Sequence, residues 1–342
     1  MKLKNLTLTL LCVTTLALNL EARDQVRIVG SSTVYPFSSA VAEELGASRK
    51  YKTPVVESTG SGGGMKLFCK GNGLNTPDIT NASRRMKISE FKLCQRNGVN
   101  HITEAMIGYD GITFAQSNKN KPFSITKKQI LLAVAAEVPN KEGTKLIENP
   151  YKRWSDIDPS LPKREIIIYG PPTSSGTRDA FEDMIMKAQT KKMEVYKNAG
   201  YKKYHKIRAD GVYVPSGEND NLIVQKLDKN KNAFGIFGYS FLEENEDKVA
   251  ASLIDGVEVN PKNISSGKYP LSRSLFFYIK NDHLKKIPAL SEYIKLFMSE
   301  KMIGDDSELS DIGLISLAKE QRVAMQKAVR EKKELSVTDF EK

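Results

Sequence analysis

Histidine is scarce in this chain, with His101, His205 and His283 far apart and in no HExxH or comparable ligand spacing. The sequence therefore argues against a metal site. It also carries no Gly-x-Ser-x-Gly elbow, no Gly-Lys-Ser/Thr phosphate-loop ending and no dinucleotide fingerprint. Nucleic-acid recognition motifs are missing as well, so a formal net charge of +11, spread along the chain, reads as solubility and a mild attraction for anions. Long apolar runs are limited to one, Leu6 to Leu20, behind Lys2 and Lys4 and followed by Glu21 and Ala22. That stretch falls short of the roughly 20 residues of a membrane span and reads as a secretory signal peptide, residues 1–22, cleaved after Ala22. The mature protein is expected outside the cytoplasm. Cysteine is equally sparse: Cys12 lies in the signal, which leaves Cys69 and Cys94, and an even pair in an oxidising compartment predicts a disulfide.

What the chain has in quantity is hydroxyl-rich turns between strands and helices. The segment GPPTSSGTRDAF (170–181) follows the β-branched run Glu165–Tyr169 and precedes a helical spacing at Ala180, Phe181, Met184, Ile185 and Ala188. Such a turn presents hydroxyls and first-turn amides, where the helix dipole favours an anion, and Arg178 adds a forked cation. An ordinary capped helix start has the same composition. A second unit runs from Val26–Gly30 through Ser31-Ser32-Thr33 into a helix over Phe37–Leu45, with Pro36 in its first turn. A third runs from Pro54–Glu57 through Ser58–Gly64 into a helix at Met65–Cys69, with three glycines read as a turn that lets backbone approach a ligand. A fourth passes from Pro77–Thr80 through Asn81-Ala82-Ser83-Arg84-Arg85 into a helix from Ile88 to Asn97; Asn81-Ala82-Ser83 also matches a glycosylation sequon.

Further along, Ile102–Ile107 and Gly111–Phe114 read as two strands split at Gly108-Tyr109-Asp110, and Thr126–Ala136 as a helix. Lys187–Lys206 reads as an exposed helix and loop. A helix opens near Gly217–Asn221 with Leu222, Ile223 and Leu227 inward, Ala233–Phe237 and Leu275–Ile279 are buried strands, and helices cover Leu290–Met298 and Leu317–Val329. The tail from Lys332 is expected to fray. Alternating strands and helices in a chain of this length predict α/β layers in two domains, with ligand turns at strand ends.

VGSSTVYPF (29–37), STGSGGGMK (58–66), NASRRMK (81–87), SSGTRDAF (174–181) and GENDNLIVQKL (217–227), in this order, resemble the periplasmic phosphate-binding protein of the Pst-type ABC importer. AFGIFGYSFL (233–242) and YPLSRSLFFYIK (269–280) fit the same pattern. The resemblance implies a two-lobed periplasmic solute-binding protein of type II, with two discontinuous α/β domains and a two-segment hinge. Residues 23–112 with 275–342 would form one domain and 113–274 the other, with crossings near Asp110–Phe114 and Arg273–Ile279. It implies a monomer without cofactor or enzymatic activity, which binds inorganic phosphate and passes it to a membrane ABC permease. Matching ligand positions are Ser32, Thr33, Val34, Ser61, Gly62, Ser83, Ser175, Gly176 and Thr177, with the backbone N–H as donor at Val34 and Gly176.

Two departures stand out. Ser83 occupies a position where some members carry an aspartate that accepts a phosphate proton, and Pro171 lies about where their arginine falls. Arg84 and Arg178 are the expected replacements for the charge, and Asp110, Asp179 and Glu218 the candidate proton acceptors. The competing readings are the same fold with sulfate, phosphonate or arsenate, an exported phosphoester hydrolase using Ser61, Ser175 or Thr177, and a secreted structural protein whose turns are plain helix caps. The hydrolase lacks a histidine in any of these turns to activate its nucleophile.

Overall fold

A computed structural model describes residues 23–173, 175–200, 206–217 and 220–341. Residues 1–22, where a signal peptide is expected, and Ser174, His205 and Glu218 lie outside the described residues. The main sheet has nine strands. They are β1 (Arg27–Gly30), β2 (Val55–Ser58), β3 (Ile79–Ala82), β4 (Ile102–Ser117), β5 (Ile168–Gly170), β6 (Tyr213–Pro215), β7 (Phe234–Gly238), β8 (Val249–Ala251) and β9 (Ser272–Lys280). β1 lies between β2 and β3 in parallel, and β9 joins β3 to β4 in antiparallel. Beyond β4 come β7 and β8, antiparallel to it, then β5 and β6, parallel to β7.

β4 organises the molecule. The sequence reads it as two strands, yet Ile102–Ser117 is continuous. Its first part, up to Gly111, pairs with β9, and from Ile112 onward it pairs with β7. The register shifts between Leu275 and Phe276, which pair with Gly108 and Met106 and leave Ile107 as the extra residue, and Tyr109 exchanges backbone hydrogen bonds with Ile315. Both faces of this strand are covered, which accounts for its nearly unbroken burial.

One core cluster draws its residues from Tyr109 to Leu271, with Leu317 added; Phe114, Trp154 and Phe234 meet edge-on and stacked within it. The other two clusters draw on Val26–Ile107 and Leu275–Leu335. Two packed lobes result, with β4 and β9 running between them. The disulfide Cys69–Cys94 ties two helices of the first lobe, with their Cα atoms 4.2 Å apart.

The helices used below are α1 (Tyr35–Ala47), α2 (Ser61–Phe68), α3 (Ile88–Arg96), α4 (Gly176–Phe181), which continues as a wider π turn over Glu182–Lys187, and α5 (Asn221–Lys229). Four local expectations need correction. The three glycines are not a turn but the first half of α2, because a Cβ at Gly64 would lie 2.5 Å from Gly30 Cα and 2.6 Å from Thr80 Oγ1; only glycine lets α2 sit directly on the sheet. Asn81 is buried and donates to Ser38 Oγ at 2.9 Å, so the sequon is closed to glycan transfer in the folded chain. Leu222 faces solvent while Ile223, Val224 and Leu227 point inward. The C-terminal tail docks instead of fraying: Leu335 N–H donates to Ile102 O at 2.8 Å, and Phe340 packs on Phe91.

Candidate cleft between the lobes

The turn after β1 forms because Gly30, at φ +130°, passes so close to the Asn81 carbonyl that no side chain fits there, and Ser31 N–H then donates to Asn81 O at 3.0 Å. Ser32 and Thr33 are thereby held at the head of α1. Across the cleft, α4 begins at Gly176 with Ser175 as its cap, whose Oγ accepts from Thr177 N–H at 3.2 Å. The two turns touch. Thr33 Oγ1 donates to Gly176 O at 3.2 Å, Ser32 Oγ donates to the Asp179 carboxylate, and a Cβ at Gly176 would stand 2.5 Å from Ser32 O. A third turn joins from the side: Ser61 Oγ accepts from Ser83 N–H at 3.1 Å and lies 3.2 Å from Ser83 Oγ.

The cationic groups divide unexpectedly. Arg84 reaches the cleft, but its fork is closed on Glu90 at 2.9 and 2.7 Å, and those hydrogen bonds raise its pKa. Arg178 does not reach the cleft. It lies on the inner face of α4, where Nε donates to Glu182 at 2.7 Å, Nη1 donates to Pro171 O at 3.3 Å and the guanidinium covers the Tyr213 ring at 4.8 Å. Its expected place as the anion's cation is therefore corrected by helix phase. The cation at the centre is Arg273, on the β9 segment between the lobes. Its Nε donates to Asp110 Oδ2 at 3.2 Å and Nη2 donates to Thr33 Oγ1; burial lowers its pKa while Asp110 opposes that shift.

Two cavities meet at this junction. One, of about 620 Å³, is lined by Ser32, Thr33, Ser61, Gly62, Ser83, Arg84 and Arg273 among others. The second, of about 550 Å³, is lined by Ser32, Thr33, Ser175, Gly176, Thr177, Asp110 and Asp220 among others. Ser32 and Thr33 face both. Of the expected positions, Ser32, Thr33, Ser61, Gly62, Ser83, Arg84, Ser175, Gly176 and Thr177 line one or other of these cavities, whereas Arg178 and Val34 line neither, Val34 being buried at the head of α1. Among the described residues no group of His, Cys, Asp and Glu side chains is arranged to hold a metal ion.

Sequence reasoning missed Arg273 and Asp220. A lone arginine leading the apolar run LFFYI was the available signal for the first, since a cation at the edge of a buried strand requires a partner. Asp220 is buried behind the second cavity and accepts from Gly238 N–H at 3.0 Å. Burial, with Asp110 adding repulsion against the Gly238 hydrogen bond, pushes its pKa up to about 6. Nothing in the sequence separates it from the acidic residues around it.

Two α/β lobes, hydroxyl and amide turns at strand ends and one central arginine define a solute receptor with a polar junction between its lobes. Residues 19–301 match the family described as a PBP superfamily domain. Protein SphX of Synechococcus elongatus is 32% identical over 263 residues, 75% of this chain and 68% of that protein. Phosphate-binding protein PstS of Staphylococcus saprophyticus is 30% identical over 309 residues, 88% of this chain and 83% of that one. The crystal structure of a possible phosphate binding protein from Planctomyces limnophilus superposes with a TM-score of 0.73 at 29% identity, covering 91% of this chain and 99% of that one. An ABC-type phosphate transport receptor from Vibrio cholerae, at 19% identity and TM-score 0.56 over 82% of this chain and 97% of that one, shares the fold. The chain belongs to the PBP superfamily and, within it, to the PstS family of phosphate-binding proteins.

Proposed function

We propose that the protein is an exported, monomeric receptor that closes on inorganic phosphate in the periplasm and delivers it to a membrane ABC permease, without catalysing a reaction. The observation that carries this reading is the cross-cleft junction: Thr33 meets Gly176, Ser32 meets Asp179, and Arg273, braced by Asp110, points at Thr33. Phosphate takes the place between these groups. Thr33, Ser61 and Ser83 hydroxyls, the Val34 and Gly176 amides, and Ser175 and Thr177 supply neutral donors, and Arg273 supplies the charge. Donors already fixed by the fold leave little ordering cost, so many charge-assisted hydrogen bonds convert into affinity. Residues 23–112 with 275–342 and residues 113–274 move as the two lobes, hinged at Gly111/Ile112 of β4 and at the entry to β9.

Asp179 accepts the phosphate proton in this scheme. It already takes a neutral hydroxyl across the cleft, whereas Asp110 is neutralised by Arg273. Sulfate has no proton at neutral pH, so against Asp179 two bare oxygens would face each other in a site drying as it closes. The test is a thermal-unfolding series on anion-stripped protein with phosphate, arsenate, sulfate and a phosphonate, and a chromogenic phosphate ester in parallel. A ligand at a thousandfold excess over Kd stabilises by about 4 kcal/mol, so phosphate should raise Tm by several degrees and sulfate should not. An equal shift with sulfate would move the substrate, and turnover of the ester would replace the receptor by a hydrolase.

A further inference from the structure

The junction is the middle of a longer trough whose two ends carry opposite charge. The 620 Å³ cavity on one side has six cations in its wall, Lys66, Arg84, Lys87, Arg96, Lys187 and Arg273, against four carboxylates. Each of those carboxylates is engaged: Glu90 by Arg84, Glu182 by Arg178, Asp183 by Lys187 and Asp179 by the Ser32 hydroxyl. Lys66 on α2, Lys87 before α3 and Arg96 at its end are exposed, and no ion pair involves them among the described residues. The middle cavity contains Asp110 and Asp220 and, among the described residues, no cation in its wall. It meets a third cavity, of about 530 Å³, at Ser240 and Gly313. Among the described residues this far end has no lysine or arginine in its wall and five carboxylates, Glu243, Glu244, Asp305, Asp306 and Asp311, of which Asp305 pairs with Arg322.

We infer that the anion enters from one side only: Lys66, Lys87 and Arg96 form an encounter site that gathers phosphate at the basic mouth and passes it to the Ser32–Thr33 junction, while the acidic mouth repels it. The inference rests on the phosphate-receptor reading. Clefts lined by one sign of charge focus the field and raise association rates tenfold to a thousandfold, falling with salt. The three cations lie outside the donor set that holds bound phosphate, so their effect belongs to the association rate and not to dissociation.

The experiment measures association and dissociation of radiolabelled inorganic phosphate by rapid mixing and chase, after equilibrium binding to the wild type has been established. Three full-length proteins are compared: the wild type, Lys66→Gln/Lys87→Gln/Arg96→Gln, and Glu243→Gln/Glu244→Gln/Asp311→Asn. The basic-mouth variant should associate about tenfold more slowly at low ionic strength with an unchanged dissociation rate, and the gap should close near 1 M salt, where the screening length is about 3 Å. The acidic-mouth variant should associate at least as fast as the wild type. The charge-conserving Lys66→Arg/Lys87→Arg/Arg96→Lys should keep the wild-type rate. Unchanged association in the basic-mouth variant, or equal slowing in both, overturns the entry side and leaves the receptor reading intact. A wild type that binds no phosphate overturns both.

Discussion

Replacing Arg273 by methionine separates the two tasks this side chain performs. It pairs with Asp110, and in the proposed scheme it also supplies the charge that meets phosphate. The Arg273 and Asp110 side chains are only 10% and 16% exposed, so the substitution leaves a largely buried carboxylate without its cation. Breaking one partner of a fully buried pair costs about 3–5 kcal/mol; the residual exposure of Asp110 reduces this to roughly 2 kcal/mol of folding stability. Phosphate loses a charge-assisted contact of about 1.5–3 kcal/mol and meets the bared Asp110 charge as well, so Kd should rise by about a hundredfold or more, at 1.4 kcal/mol per decade. The double variant Arg273→Met/Asp110→Asn removes the orphaned charge. Its urea midpoint should return most of the way to wild type, whereas its phosphate affinity, read by calorimetry, should recover only the repulsive part. Wild-type affinity in Arg273→Met would refute the assignment, and equal rescue of stability and affinity would reduce Arg273 to a structural brace.

Arg178→Met should show the complementary pattern, a stability loss of about 1–2 kcal/mol from the lost Arg178–Glu182 ion pair and the lost cation over Tyr213, with phosphate affinity within a few-fold of wild type by calorimetry. Gly176→Ala places a methyl group 2.5 Å from Ser32 O, so lobe approach is blocked and phosphate affinity should fall more than tenfold, with a smaller change in urea midpoint. Burial pushes the Asp220 pKa up to about 6 in the folded chain, so the destabilisation is nearly absent below pH 4, grows as pH rises from 4 to 6 and levels off above that. Asp220→Asn should therefore gain up to about 3 kcal/mol relative to wild type above pH 6 and nothing at pH 3.5, as read from urea midpoints across pH. Cys69→Ser/Cys94→Ser opens a loop with a sequence separation of 25 and should lower stability by about 3–4 kcal/mol in urea.

The parts of this molecule legible in the sequence are those set by local pattern. Apolar spacing locates α1, α3 and β7, Pro36 marks a helix start, and hydroxyl turns mark strand ends. The glycine run was misleading for a physical reason: glycine is permissive in a turn and equally necessary where a helix lies flat on a sheet, and only the neighbours Gly30 and Thr80 decide between them. The continuity of β4 was hidden in the same way, since Gly108-Tyr109 resembles a break until Ile315 is seen bonding across it. Charges were read least well. Arg178 stands next to the right turn in sequence and points into the lobe, whereas Arg273, distant in sequence, arrives on the strand between the lobes.

The most direct test of the central claim is a calorimetric titration of anion-stripped mature protein with inorganic phosphate, repeated in excess sulfate. The account predicts tight one-to-one binding that sulfate does not displace, and loss of that selectivity in Asp179→Asn. Absence of phosphate binding, or displacement by equimolar sulfate, would contradict it.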